Sequence, residues 1–323
     1  MLRKLTRNRV TRRIASSLAT LLGVAILVFI MLRAIPGDQI TAGLGTEAAA
    51  LTPDQRADLE AYYGIDKPLL TQFFSWIGNL LTGNLGFSSR AQESVLDLTL
   101  KSLPVTLELA LLAIVIALLI GIPLGMLSAS KPDSPRDAAG QVVGLAGLSI
   151  PAFLLATTLL SVLASSFGFN PNGKPFAGLF DDPLLNLQQM LLPALVLGFG
   201  IAAPIMRTTR TAVLEVRSND FVRTARAKGV PAKRLQVRHV LGNAMVPIVT
   251  MVGLQFGYLL GGAVVVEQVF SVPGIGRQVL LGIQQKEYAL VQSTVLVIAV
   301  AFVLVNLLTD ITYRLIDPRV RAS

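Results

Sequence analysis

The chain has little material for chemistry of its own. It carries one histidine, His239, and no cysteine, so a multi-histidine metal centre, a Ser-His hydrolase, a thiol enzyme and a cysteine-ligated metal site all lack their reacting groups. Neither a GxxxxGK[ST] stretch to cradle phosphates nor an HExxH is present, which places ATP hydrolysis and zinc proteolysis elsewhere. Arg33, Glu108, Glu267 and Asp310 fall near the ends of apolar runs, where a side chain snorkels to water at little cost. No relay of buried carboxylates is expected, which disfavours a proton-coupled carrier. What remains is a basic stretch: from Arg207 to Arg238 there are nine basic and two acidic residues, a net charge of +7. Energy would therefore reach the protein through contact.

Composition says what must position that stretch. Of 323 residues, 53% are hydrophobic and 15% charged, against about 25% charged in ordinary soluble domains, and mean hydropathy is +0.64. A polytopic membrane protein is expected. A helix needs about 20 mostly apolar residues to cross the hydrocarbon core. Seven charge-free runs are long enough: Ile14 to Leu32, Pro68 to Ser89, Leu109 to Ser130, Ala138 to Gly173, Pro183 to Met206, His239 to Val266, and Tyr288 to Thr309. The second holds Thr71, Gln72, Ser75, Asn79, Thr82, Asn84 and three glycines. Its apolar residues, Leu69, Leu70, Phe73, Phe74, Ile77, Leu80 and Leu81, recur at helical spacing beside Trp76, as in a helix lying along the membrane interface.

Six spans remain, so both termini share a face. With that topology 20 of the 28 basic residues lie on the face of the termini, which nets +14 against −5 for the rest; the positive-inside rule makes that face cytoplasmic. The overall charge of +9 is thus loop asymmetry and no nucleic-acid partner is expected. The basic start and first apolar run read as an uncleaved anchor, since the run ends in Arg33-Ala34-Ile35-Pro36-Gly37-Asp38 without a small-x-small cleavage site.

Between spans one and two lies an external segment with a helix start at Thr52-Pro53-Asp54-Gln55 and a stop at Gly64. It reads equally as packing over the bundle or as a docking surface for an external partner. Between spans four and five, Ser218-Asn219-Asp220 supplies capping groups and Lys228-Gly229-Val230-Pro231 a terminator, bracketing a helix of about nine residues. So short a helix must dock on something to persist. Phe221, Val222 and Ala225 form its apolar side, with Arg223, Arg226 and Lys228 around it. Two readings stand on these residues alone: a basic loop resting on anionic lipid head groups, or a helix set in a groove of another protein. Small residues recur every four positions at Gly121/Gly125, Gly140/Gly144 and Gly253/Gly257/Gly261, a spacing that lets helix backbones approach closely.

Arg223-Thr224-Ala225-Arg226-Ala227-Lys228-Gly229, with Arg238-His239 and Asn243-Ala244 through Pro247, resembles the cytoplasmic "EAA" loop of ABC-importer permeases in the dipeptide, oligopeptide and nickel branch. The likeness extends along nearly the whole chain. It takes in Ile35-Pro36-Gly37-Asp38, Gly64-Ile65-Asp66-Lys67-Pro68, Trp76-Ile77-Gly78-Asn79, Asn84-Leu85-Gly86, Leu103-Pro104-Val105-Thr106-Leu107-Glu108-Leu109 and Glu267-Gln268-Val269-Phe270-Ser271-Val272-Pro273-Gly274-Ile275-Gly276. Together these resemble the first of that branch's two permease subunits. Two positions depart from the pattern: Arg223 stands where the glutamate that names the loop would be, and Asn84 where an aspartate is more usual.

The resemblance implies an all-α integral membrane protein with six transmembrane helices, cytoplasmic termini, an external helical cap and a cytoplasmic coupling helix. Residues 1–36 would hold span one, 37–102 the cap, and 103–323 the five-span permease core with its coupling loop at 207–242. It also implies partners: an external solute-binding protein, a second permease subunit and two cytoplasmic ATPase domains that hold ATP and Mg, with no cofactor on this chain. The place of work would be the bacterial cytoplasmic membrane. Asp220 would cap the coupling helix, Phe221 and Ala225 would enter an ATPase groove, Arg223, Arg226 and Lys228 would frame it, and Gly229 would permit the turn back to span five. Gln255 and Tyr258 are the expected pathway contacts, and Gly253, Gly257 and Gly261 suit a helix that slides past a neighbour. The rival from another class is a self-powered secondary carrier or channel. That rival calls for intramembrane charges or broken helices at matching places in two halves, and no such pair stands out in the sequence.

Overall fold

The computed structural model describes residues 2–34, 40, 45–168, 170 and 173–316, with side chains for 12–34, 40, 48–61, 64–168, 170 and 173–309. The Ile35-Pro36-Gly37-Asp38 motif, the side chains of Asp310 and Arg314, and the last basic residues, Arg319 and Arg321, lie outside what is described. The main elements are α1 (Leu2–Ala34), α2 (Pro53–Tyr63), α3 (Leu69–Leu81), β1 (Phe87–Ser88), β2 (Glu93–Ser94), α4 (Val95–Ser130), α5 (Pro135–Ser149), α6 (Ala152–Phe167), α7 (Pro183–Ser218), α8 (Asp220–Ala227), α9 (Gly242–Gly262, entered through a short turn at Ala232–Arg234 and a π-helical stretch at Leu235–Leu241), α10 (Val264–Val269), α11 (Ile275–Gln284) and α12 (Tyr288–Ile316). Among the described residues five helical stretches are long and apolar enough to cross a membrane, or six if the bent pair α5/α6 counts as one span. Two compact units result: residues 1–104 with 274–303, and residues 105–273 with 304–323.

In the first unit, local chemistry sets the helix ends. Thr52 Oγ1 accepts from the Gln55 amide at 3.3 Å while Gln55 Oε1 accepts from the Thr52 amide at 3.0 Å, a reciprocal capping box on α2. Gly64 closes α2 in the left-handed region at φ +66°. After it, α3 carries the single apolar side expected, and packing divides that side in two. Phe73, Trp76, Ile77 and Leu80 turn inward onto Ala25 and Phe29 of α1, with Phe29 stacked on Trp76 at 6.1 Å and edge-on to Phe73 at 5.2 Å. Leu70, Phe74 and Leu81 stay exposed. Arg33 lies over the Phe29 ring and donates to Gln72 Oε1 at 3.0 and 2.8 Å. The β1/β2 hairpin is pegged by Glu287, whose carboxylate accepts from Ser88 Oγ at 2.7 Å and the Arg90 amide at 2.9 Å.

The second unit is built around α7. Its 36 residues run unbroken from Pro183 to Ser218, so the expectation that span four ends at Met206 and gives way to a loop at Arg207 is corrected: the first third of the expected coupling loop continues this helix, and most of the rest is helical too. Backbones approach closely along it. A Cβ added at Gly121 would stand 2.8 Å from the Ala202 carbonyl oxygen, one at Gly125 2.6 Å from that of Met206, and one at Gly198 2.8 Å from that of Ala113. Only glycine admits such crossings. Gly140 and Gly144 bring α5 onto the Met206 side chain of α7 in the same way. The core fills with Leu109, Ala113, Ala117, Met190, Ala194, Ile201, Ile205 and Leu259.

Two further expectations change. The run from Ala138 to Gly173 is no straight span: α5 and α6 meet at a 97° bend. Pro151 has no amide to donate and pushes its predecessor out of the helical region, and Ile150 sits at φ −83°, ψ 116°. Glu267, expected to reach water near a span end, is fully buried and accepts from Thr106 Oγ1 at 2.6 Å. An ionised or protonated carboxyl tolerates burial only with such partners.

Candidate functional site: a short basic helix and its support

The bracketed helix is α8, eight residues following directly on α7. Its start differs from expectation. Asn219 is the N-cap and extends at φ −72°, ψ 145° without a capping side chain; its Nδ2 donates back to the Glu215 carbonyl at 3.4 Å. Asp220 is the first helical residue rather than the cap, and its carboxylate meets Arg223 at 3.4 Å on the surface. That still puts a negative charge at the positive end of the helix dipole.

The far end is a Schellman turn. Gly229 N donates to the Arg226 carbonyl at 3.0 Å, Val230 N to the Ala225 carbonyl at 3.2 Å, and Gly229 sits at φ +75°. This bonding satisfies two orphan carbonyls and requires a left-handed residue at 229, where a side chain is strained.

Packing divides α8 into two faces. Val222 is buried in a cluster with Ala129, Val213, Val216, Leu235, Val240 and Ile248, and Ala225 and Val230 press partly onto the same cluster. Val222 and Ala225 are three apart and so share a face, which here meets the chain itself. The expectation that Phe221, Val222 and Ala225 act as one outward apolar side is thereby corrected. Phe221 alone of the three is exposed, at 45%, beside exposed Arg223, Arg226 and Lys228. The underside answers how so short a helix persists.

The basic residues before α8 behave otherwise. Arg210 Nε and one terminal nitrogen donate to the two Asp137 oxygens at 2.8 and 2.7 Å, and Arg217 donates to the Ala129 carbonyl. Asp137 is fully buried. Sequence reasoning counted Asp137 as one more loop acid and missed this pair, because 73 residues separate it from Arg210 and neither flank carries a local signal.

The residues expected in span five scatter. Gly253 packs tightly on Thr309, so that any Cβ there would collide, and Gly257 is buried. A Cβ at Gly261 would meet nothing within 4 Å among the described residues. Gln255 is half-buried and Tyr258 is 69% exposed, its ring lying along Gly262.

The short helix α8 is thus fixed beneath by apolar packing and charged above, at the end of a long helix. The model of the family described as the binding-protein-dependent transport system inner membrane component matches residues 121–322, and that of the N-terminal part of such membrane components matches residues 6–110. The chain belongs to this family. It is a multi-pass permease component of an ABC-type transporter, a membrane part that is not itself catalytic. The di/tripeptide transport system permease protein DppB of Pseudomonas aeruginosa is 38% identical over 331 residues, covering 97% of this chain and 98% of the relative. The dipeptide transport system permease protein DppB of Escherichia coli K12 is 35% identical over 334 residues, with 97% and 98% covered. The glutathione transport system permease protein GsiC of Pectobacterium atrosepticum is 37% identical over 316 residues, with 97% and 99% covered. Among solved structures, a chain of an amino acid ABC transporter with histidines superposes at TM-score 0.50 and 18% identity, covering 69% of this chain and 94% of that one. That likeness speaks for the fold of the permease core.

Proposed function

We propose that this permease is the first of two membrane subunits of an ATP-driven importer that takes peptides into the bacterial cytoplasm. The carrying observation is α8: Val222 holds it to its own chain, while Phe221, Arg223, Arg226 and Lys228 face outward. A partner ATPase would seat that face in a groove, with ATP and Mg bound on the ATPase side. Counted as one span, the bent α5/α6 pair would make six, with both termini in the cytoplasm and residues 37–102 outside, a topology that the charge distribution supports.

The solute would arrive on an external binding protein that docks on the cap. A cavity of about 1220 Å³ in the first unit, lined by Arg33, Lys67, Trp76, Asn79, Arg90 and Glu287 among others, supports a docking role for that surface. Closure of the ATPase dimer would push α8 and reorient the helices joined to it, exposing the pathway alternately to each side. Peptides are the substrate class that the di/tripeptide and dipeptide relatives share.

Expression with the neighbouring genes followed by a mild-detergent pull-down tests this reading. Recovery of a second six-span permease together with ATPase subunits is the expected result. Isolation of the chain alone, still moving a solute in liposomes, would replace the importer by a self-powered carrier.

A further inference from the structure

The four-residue link between α4 and α5 is gripped by α7 from both ends. Ala129, at its near end, sits in the apolar cluster that buries Val222 of α8, and its carbonyl accepts from Arg217. At its far end Asp137 accepts both nitrogens of Arg210, at 2.8 and 2.7 Å, and also Ser128 Oγ, Gln141 Nε2 at 3.1 Å and the Asp133 amide at 3.0 Å. Arg210 and Arg217 are seven apart and project from one face of α7. Just before the link, Gly125 lies against the Met206 carbonyl and Thr209.

A bidentate arginine fork fixes both distance and angle, which a single hydrogen bond does not. Asp137 is buried while Arg210 keeps 24% of its side chain exposed, so the fork is the main partner of a carboxylate that water does not reach, and losing it leaves that charge poorly compensated. Contacts run from α8 through Val222 and Ala129 to Arg217, and the α7 helix itself joins Arg217 to Arg210 and so to Asp137, a physically continuous route for carrying motion between elements.

We propose that Asp137, Arg210 and Arg217 are positioning residues that make residues 129–137 follow α7 when α8 is pushed, so that α4 and α5 reorient with α7 as one body. The proposal rests on α8 being the coupling helix. Disconnecting the pair would leave ATP hydrolysis running while the pathway helices no longer obey it.

The test uses the complete complex in liposomes, reading labelled alanylalanine taken up per ATP hydrolysed. Asp137→Asn should lower that ratio by about tenfold or more, a size typical of coupling between sites, at unchanged assembly. Arg210→Lys keeps the charge but loses the fork and should fall between, while the exchange of Asp137→Arg with Arg210→Asp should restore most of the ratio. A purely structural pair would lower the yield of complex and leave the ratio per complex alone. A normal ratio in assembled Asp137→Asn or Arg210→Lys complex, or failure of both to assemble, would overturn the proposal. Gly229→Val, measured alongside, separates the two readings. If it uncouples and Asp137→Asn does not, only this proposal falls; if Gly229→Val is normal, α8 is not the coupling helix and the reading beneath it falls too.

Discussion

Two groups of arginines stand a few residues apart on one basic stretch and do opposite things. Arg210 and Arg217, on the last turns of α7, point into the chain and hold Asp137 and the Ala129 carbonyl. Arg223 and Arg226, on α8, face outward, and the ion pair that Arg223 makes with Asp220 is on the surface. The residue type is the same and the net charge continuous, so composition cannot assign the roles. The helix phase assigns them, since α7 turns one face to the α4–α5 link and the break at Asn219 turns the next helix outward. One half of the basic stretch is thus an anchor and the other half an exposed face.

If this division is right, the largest effect falls on the anchor. Arg210→Ala leaves a buried carboxylate without its partner, which is far more damaging than losing a surface pair. The melting temperature of the purified chain in detergent should drop by on the order of 10 °C. A drop no larger than that of Arg223→Ala would erase the distinction between the two groups.

Next come the close approaches that set the anchor's position. Gly125→Val would force a branched side chain to within 2.6 Å of the Met206 carbonyl and 2.7 Å of Thr209 Cβ, overpacking that costs about 1–3 kcal/mol. Gly261→Val, where an added Cβ meets nothing within 4 Å among the described residues, should leave the chain's own melting temperature near that of the parent. Equal losses at both positions would mean that the spacing of glycines, rather than what each one faces, sets the packing.

How much of this was readable beforehand depends on range. Ends of elements follow from neighbours in sequence: Thr52 with Gln55, Gly64, and Gly229 with Val230 are all local signals, the first opening a helix and the other two each closing one. The short basic helix was legible as an element for the same reason. The bend at Ile150-Pro151 was also written locally, but a long apolar run masked it, because length alone promised a span. Which face of α8 docks inward was not legible, since Phe221, Val222 and Ala225 are all apolar and only the position of Ala129 and Val213 decides. Asp137 with Arg210, and Thr106 with Glu267, join residues 73 and 161 apart. A single sequence carries no trace of such pairs.

The smallest effect on stability should come from the outward face, and there the comparison is sharpest. Arg223 and Asp220 are almost wholly exposed as a pair, and exposed pairs contribute little because water already solvates both charges. Arg226 is exposed as well. The double substitution Arg223→Ala with Arg226→Ala should therefore leave the melting temperature of the isolated chain unchanged within error. Its effect should show only in the complex, as weaker retention of the ATPase subunits, growing with salt in the parent and hardly at all in the variant, because screening acts on charges the variant no longer has. Retention that is equal in parent and variant at every salt concentration would make the outward arginines ordinary surface charges. The contact would then rest on Phe221 alone, and Phe221→Ala would be the variant that releases the partner.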